Sequence, residues 1–193
     1  TPEPALASYL AGQLARRVGL PVRCSGAFTA SKLPDAQSMM ESVTALHAAV
    51  LSGANFVLQS AGWLEAALTM SYEKLVMDAD YLGAMHVFLK GLSLDDNGFA
   101  MDAFSEVGPG NHFFGSEHTL KNYRTAFYDS ALSDNQSFES WSDQGSMDMA
   151  QRANLKWKQD LRTYEAPPLD QAVDEALCAF MHQKKMGLPD SWL

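Results

Sequence analysis

The sequence predicts a parallel α/β protein with a mainly helical distal half, and three observations carry that prediction. Two short runs, Val22 to Thr29 and Asn55 to Ser60, read as buried strands. Each is preceded by a stretch with helical spacing and followed by a loop leading to another helical stretch, which is the rhythm of a sheet covered by helices. Beyond Gly91 no run reads as a strand, and apolar residues recur only at spacings of three and four.

The elements follow in order. Thr1-Pro2-Glu3 reads as a helix start, with Thr1 as cap and Pro2 at the first helical position. A chain seldom begins on the cap itself, so something is expected to precede it. Leu6, Leu10 and Leu14 recur every fourth residue up to Gly19, which ends the helix, and Pro21 keeps it from resuming. After the first strand, Pro34-Asp35 opens a second helix striped by Met39, Val43, Leu46, His47 and Val50 and closed by Gly53. The second strand leads through 59–70 to a third helix, Ser71 to Gly91, with Tyr72, Leu75, Val76, Ala79, Leu82 and Leu89 on one face. Asp95 to Val107 and His118 to Phe127 read as short helices on either side of a break at Gly108-Pro109-Gly110. Ser146 to Tyr164 carries Ala150, Ala153, Trp157, Leu161 and Tyr164 at helical spacing. The Pro167-Pro168 pair separates it from a last helix through Met186, striped by Leu169, Val173, Leu177 and Phe180.

The chain has 193 residues, 47% hydrophobic and 19% charged, which places it in the ordinary globular class with one core. Fourteen basic residues against 23 acidic ones give a net charge of −9. That balance offers no footprint for nucleic acid or an anionic membrane and suits a small cation or a basic protein patch. Cys24 and Cys178 match no metal-knuckle or redox spacing, the pattern of reduced thiols in a cytoplasmic protein. The N-terminus lacks the features of a signal peptide, and no uncharged run is long and apolar enough to span a membrane.

A parallel strand ends where its following loop can hold a ligand. The first such loop, Gly26 to Gln37, contains Lys32 and ends on Asp35, whose other reading is a plain helix cap. The second, Gln59-Ser60-Ala61-Gly62-Trp63-Leu64-Glu65, places Trp63 where an indole faces either the core or a bound cation. Glu65 either balances that cation or is simply solvated. A third segment, Glu106 to Gly115, presents His112, Phe113 and Phe114 on glycine- and proline-fixed turns, as a binding loop or as a rigid structural turn. The five histidines show no metal-ligand spacing, and there is no phosphate loop, nucleophile elbow or Cys/His dyad. No metal site is expected. The residues alone support a loop-built small-ligand site and leave the reaction open.

Four long motifs in fixed order resemble the C-terminal portion of the trimethylamine methyltransferase family: SKLPDAQ at 31–37, SGANFVLQSAGWLEAALTMSYEK at 52–74, EVGPGNHFFGSEHTL at 106–120, and the ending YEAPPLDQAVDEAL with LPDSW. The resemblance implies the C-terminal part of a TIM (β/α)8-type barrel, with late βα units over 1–115 and a helical extension packing on the barrel over 116–193. A complete barrel takes ~250 residues, so this chain would carry only some of its strands. It implies an enzyme that moves a methyl group from a methylamine, or from a quaternary amine such as a betaine, to the Co(I) centre of a corrinoid (cobalamin) carried on a separate protein. Some family members hold pyrrolysine in the active site. This chain has ordinary residues, with the equivalent position expected around Ser31 to Leu33, which favours a quaternary amine.

On that reading Lys32, Glu106 and His112 are the expected catalytic residues. Gln59, Trp63, Glu65, Tyr72, Phe113 and Phe114 are the expected substrate contacts, with Lys32 or Gln59 meeting a substrate carboxylate. The expected partners are the cognate corrinoid protein and a further copy of the chain or the remainder of a longer polypeptide. The alternative is a non-catalytic piece that binds a quaternary amine or docks a corrinoid protein.

Overall fold

The computed structural model describes residues 1–188, in which helices dominate and four very short strands form two separate two-stranded sheets. The chain divides after Gln159 into two compact units.

In the first unit α1 (Glu3–Val18) starts at Pro2, one residue later than the Thr1 cap expected from sequence, because proline has no N–H to satisfy and already holds a helical φ. It ends on Gly19 in the left-handed conformation, whose N–H reaches the carbonyls of Ala15 and Arg16. The face it buries is not the leucine stripe. Leu6, Leu10 and Leu14 are 61%, 68% and 62% exposed, while Gly12 is buried against the end of the next helix. A β-carbon at Gly12 would collide with the Ser52 carbonyl, and Arg16 donates to that same carbonyl. Close approach of two backbones thus sets the orientation of α1, and its apolar face is left uncovered.

Asp35 caps α2 (Ala36–Leu51) by accepting from the Ser38 N–H at 2.9 Å, as its place before an apolar stripe predicts. The deepest residues of α2 are small ones, Ser38, Ser42, Ala48 and Ala49 with Leu46, which let it lie close to its neighbours. Strands β1 (Arg23–Ser25) and β2 (Phe56–Leu58) pair in parallel with Cys24 opposite Val57. Both are shorter than the runs read from sequence, but the ladder continues as single bonds: Asn55 N–H to Val22 O, Gly26 N–H to Leu58 O and Ala27 N–H to Gln59 O, at 2.9, 2.6 and 2.9 Å. Gly26 is required there, since a β-carbon would lie 2.7 Å from Ser60 Cα.

The stretch after β2, read from sequence as loop, folds into a hairpin. Strands β3 (Trp63–Leu64) and β4 (Thr69–Met70) are antiparallel, joined through Glu65, Ala66 and Ala67, all with positive φ. Two-residue strands leave no alternation for a sequence pattern to show. Helix α3 (Tyr72–Lys90), capped by Ser71, buries Lys74, Met77, Asp78 and Met85, whereas Tyr72, Leu75 and Leu89 of the expected face are 59%, 40% and 51% exposed. Apolar residues surround this helix on most sides, so their spacing does not decide the buried face; a buried ion pair does.

The distal part begins with α4 (Asp96–Phe99) and α5 (Met101–Val107), two short helices where one was expected, split by left-handed Ala100. Helix α6 (Glu117–Asn122) stops short of Phe127, and α7 (Phe138–Asp143), capped by Ser137, was not anticipated. Helix α8 (Met149–Thr163) contributes Ala153 to a buried core cluster with Met77 and Leu132, against which the partly buried Met39, Val76 and Met149 pack. In the second unit Asp170 caps α9 (Gln171–Met186) by accepting from the N–H groups of Ala172 and Val173, and its stripe of Val173, Leu177 and Phe180 is exposed. The closing LPDSW motif lies, from Pro189 onward, outside the described residues.

Candidate functional site

Because β1 and β2 run parallel, their exits leave the same side of the sheet. The two exit segments are also bonded to each other. The N–H groups of Glu65 and Ala66 donate to the carbonyls of Ser31 and Thr29 at 2.9 and 2.7 Å. The left-handed turn at 65–67 presents these two N–H groups in succession, which gives the strained backbone a positioning role.

Three side-chain arrangements hold the exits. In the first, Glu41 reaches back from α2: its Oε2 accepts from the Thr29 hydroxyl and the Ala30 N–H, both at 2.7 Å, and its Oε1 accepts from Gln37 at 3.1 Å. The Thr29 hydroxyl and then the Ala30 N–H hold this carboxyl below the usual range. In the second, the Ser31 hydroxyl donates to Asp35 at 2.9 Å, tying the exit to the start of α2. The third is the fully buried pair of Lys74 and Asp78 one turn apart on α3. Lys74 also donates to Ser42 at 2.8 Å, and Asp78 accepts the Gly62 N–H at 2.9 Å, fixing the turn that delivers Trp63. Burial pushes Asp78 up and Lys74 down, and each charge opposes the shift of the other.

Beside the first exit lies a cleft of about 570 Å³ between the start of α1, the β1 exit and α2, lined by Phe28, Thr29, Ala30, Met40, Glu41 and Ala66 among others. None of the nine residues singled out from sequence lines it. Lys32 is exposed and folds onto its own loop, donating to Ala30 O at 2.9 Å. Gln59 is half-buried in a left-handed conformation, and its Oε1 is buried without a hydrogen-bond partner. Trp63 and Glu65 are half-buried in the hairpin, Trp63 opposite Met70. Tyr72 stacks on Trp157 of α8 at 4.9 Å. The ring contacts of the third segment are local: His112 lies 5.2 Å from Phe114, and Phe113 meets Phe104 edge-on at 5.3 Å. Glu106 is exposed on α5.

Lys32, Gln59, Trp63 and Glu65 thus lie on the two bonded exit segments and Tyr72 at the end of the hairpin, while Glu106, His112, Phe113 and Phe114 lie on α5 and the segment after it, outside these exits. The sequence reading passed over Phe28 and Glu41. The available signal was spacing: Glu41 stands four residues after Gln37 and six after the Asp35 cap, so it faces the loop before the helix. Among the described residues no group of three or more His, Cys, Asp or Glu is arranged to hold a metal ion, and no helix is long and apolar enough to cross a membrane.

A parallel strand pair with both exits bonded together and a cleft beside them is the kind of corner at which α/β folds hold ligands. The family model for trimethylamine methyltransferase matches residues 1–189, and this chain belongs to that family. It is 41% identical over 184 residues to a glycine betaine methyltransferase of Desulfitobacterium hafniense strain Y51, a match covering 95% of this chain and 38% of that protein. It is 32% identical over 172 residues to trimethylamine methyltransferase MttB2 of Methanosarcina mazei, covering 88% of this chain and 34% of that protein. The chain thus spans little more than a third of the length of these relatives.

Proposed function

We propose that this chain supplies part of the substrate mouth of a cytoplasmic methyltransferase. In this reading the enzyme moves a methyl group from a quaternary amine such as glycine betaine, or from a methylamine, to the Co(I) corrinoid of a separate protein. The observation that carries it is the joining of the two strand exits on one side of a parallel pair, in a chain of this family. The (β/α)8-type barrel is part of the proposal, with β1 and β2 as two of its strands.

In the reaction the C–N bond breaks with its electron pair staying on nitrogen, while the carbon bonds to cobalt through the electron pair of Co(I). A quaternary ammonium leaves as a neutral amine and needs no proton. The protein's work is then orientation and exclusion of water. Trp63, with Tyr72 at the end of the hairpin, offers aromatic surface to the amine, each contact contributing roughly 0.5–2 kcal/mol. Glu65 balances its charge, and Gln59 and Lys32 hold the carboxylate of a betaine. The buried Oε1 of Gln59, an acceptor without a partner, suits the positive end of a ligand, so contact with a carboxylate would fall to the N–H groups of its amide.

Methyl transfer is measured by the absorbance change as reduced corrinoid protein becomes methylated, with each amine in turn. Trp63→Ala and Gln59→Ala are expected to slow it at least tenfold; rates unchanged in both variants would remove the second exit from the site. The uncovered leucines of α1 favour a second reading, in which the chain is a docking piece without catalysis. That reading predicts binding to the corrinoid protein with no methylation.

A further inference from the structure

We propose that the cleft beside the β1 exit is a quaternary-ammonium subsite, in which Glu41 supplies the counter-charge and Phe28 the aromatic wall. The inference rests on the amine methyl-transfer reading and adds Glu41 and Phe28, across the joined exits from Trp63 and Glu65, to the residues that meet the cation. Neither residue belongs to the set that sequence spacing or family resemblance singled out.

Glu41 is built to remain ionised. Two short hydrogen bonds to Oε2 and one to Oε1 favour the carboxylate over the acid, and the amino group of Thr1 is the last and weakest of the influences on it. No lysine or arginine side chain lines the cleft, so this charge has no side-chain counterion there. Most of the remaining surface is apolar, Phe28, Met40, Ala30 and Ala66 among it, interrupted by serine and threonine hydroxyls and by the amino group of Thr1. A fixed negative charge in an apolar cleft of about 570 Å³ calls for a compact cation with a hydrocarbon surface.

The hydrogen bonds also decide which kind of cation. Donors already occupy both carboxylate oxygens, so what the site offers a ligand is chiefly Coulomb attraction and dispersion. An amine with N–H groups needs acceptors to replace the water it loses. A tetraalkylammonium has no N–H and loses nothing on that account, and its methyl groups pack on Phe28 and Met40. The cleft also adjoins the second exit, since Thr29, which donates to Glu41 through its hydroxyl, accepts the Ala66 N–H through its carbonyl.

The test is calorimetric titration of the full chain with tetramethylammonium, and with methylammonium for comparison. Glu41→Gln keeps an acceptor for Thr29 and Ala30 while removing the charge. Met40→Lys places a cation at the exposed rim and leaves every Glu41 hydrogen bond intact. Each is expected to weaken tetramethylammonium binding at least tenfold, Phe28→Leu several-fold, and methylammonium is expected to bind more weakly than tetramethylammonium to the unaltered chain. No tetramethylammonium binding by the unaltered chain, or binding unchanged in both Glu41→Gln and Met40→Lys, overturns the subsite. Glu41-dependent binding without methyl transfer to corrinoid would uphold the subsite and sink the methyl-transfer reading; methyl transfer with binding indifferent to both substitutions would do the reverse.

Discussion

Glu73 shows how much one carboxylate can hold. At the start of α3 its Oε1 accepts from Asn154 at 2.7 Å and Trp157 at 2.8 Å, and its Oε2 from Ser71 at 2.8 Å, so it ties α3 to α8. Partial burial works to raise its pKa, but these hydrogen bonds outweigh burial and hold it at about 2, against an ordinary 4.5. A carboxyl depressed in the folded state contributes stability that is whole above its unfolded pKa and is lost as pH falls through the folded value. Unfolding followed by circular dichroism should therefore show stability falling between pH 4.5 and about 2, with a shallower fall in Glu73→Gln; equal slopes would contradict the clamp. Glu73→Ala is expected to cost about 2–3 kcal/mol in urea unfolding, the range for hydrogen bonds to a charged group. Gln59 predicts the opposite sign. Its Oε1 is buried without a partner, so Gln59→Met should leave the urea midpoint unchanged or higher while slowing methyl transfer.

At the scale of elements, the Lys74 and Asp78 pair couples α3 to α2 through Ser42 and to the second exit through Gly62. Removing one charge leaves the other buried alone, so Lys74→Met is expected to cost about 3–5 kcal/mol. Lys74→Met with Asp78→Asn should recover much of that loss, because Asn keeps an acceptor for Gly62; no recovery in thermal unfolding would argue against a paired charge. The same helix shows what sequence could and could not yield. The α1, α2, α3, α8 and α9 helices were legible because caps and breakers such as Asp35, Ser71 and Gly19 act over three or four residues. The parallel pair was legible from its flanking helices. The buried face of α1 was not, because the contact of Gly12 with Ser52 is long-range and a glycine carries no hydrophobic signal. The hairpin at 63–70 was hidden for want of length. Of the site, the second exit could be found by its Gly62-Trp63 turn, whereas Glu41 carried only its spacing from Asp35 and Gln37, and its bond to Thr29 depends on how α2 folds back over the β1 loop.

The whole molecule is marked by uncovered apolar surface. Leu6, Leu10, Leu14 and Val18 on α1 are 56–68% exposed, and among the described residues the parallel pair of three-residue strands has no further strand on either edge. Such surface is unstable in isolation, so the 193-residue chain alone is expected to sediment as an oligomer or to bind a hydrophobic dye strongly. Leu10→Glu should reduce either behaviour, and a dye-silent monomer would show that the exposed face is tolerated without cover. The central claim concerns chemistry at the joined exits. Its most direct test supplies glycine betaine labelled with ¹³C in its methyl groups, together with reduced corrinoid protein, and follows the label by NMR. The account predicts a ¹³C-methyl signal on cobalt appearing in step with dimethylglycine. Label remaining wholly on nitrogen, with this amine and with trimethylamine alike, would contradict it.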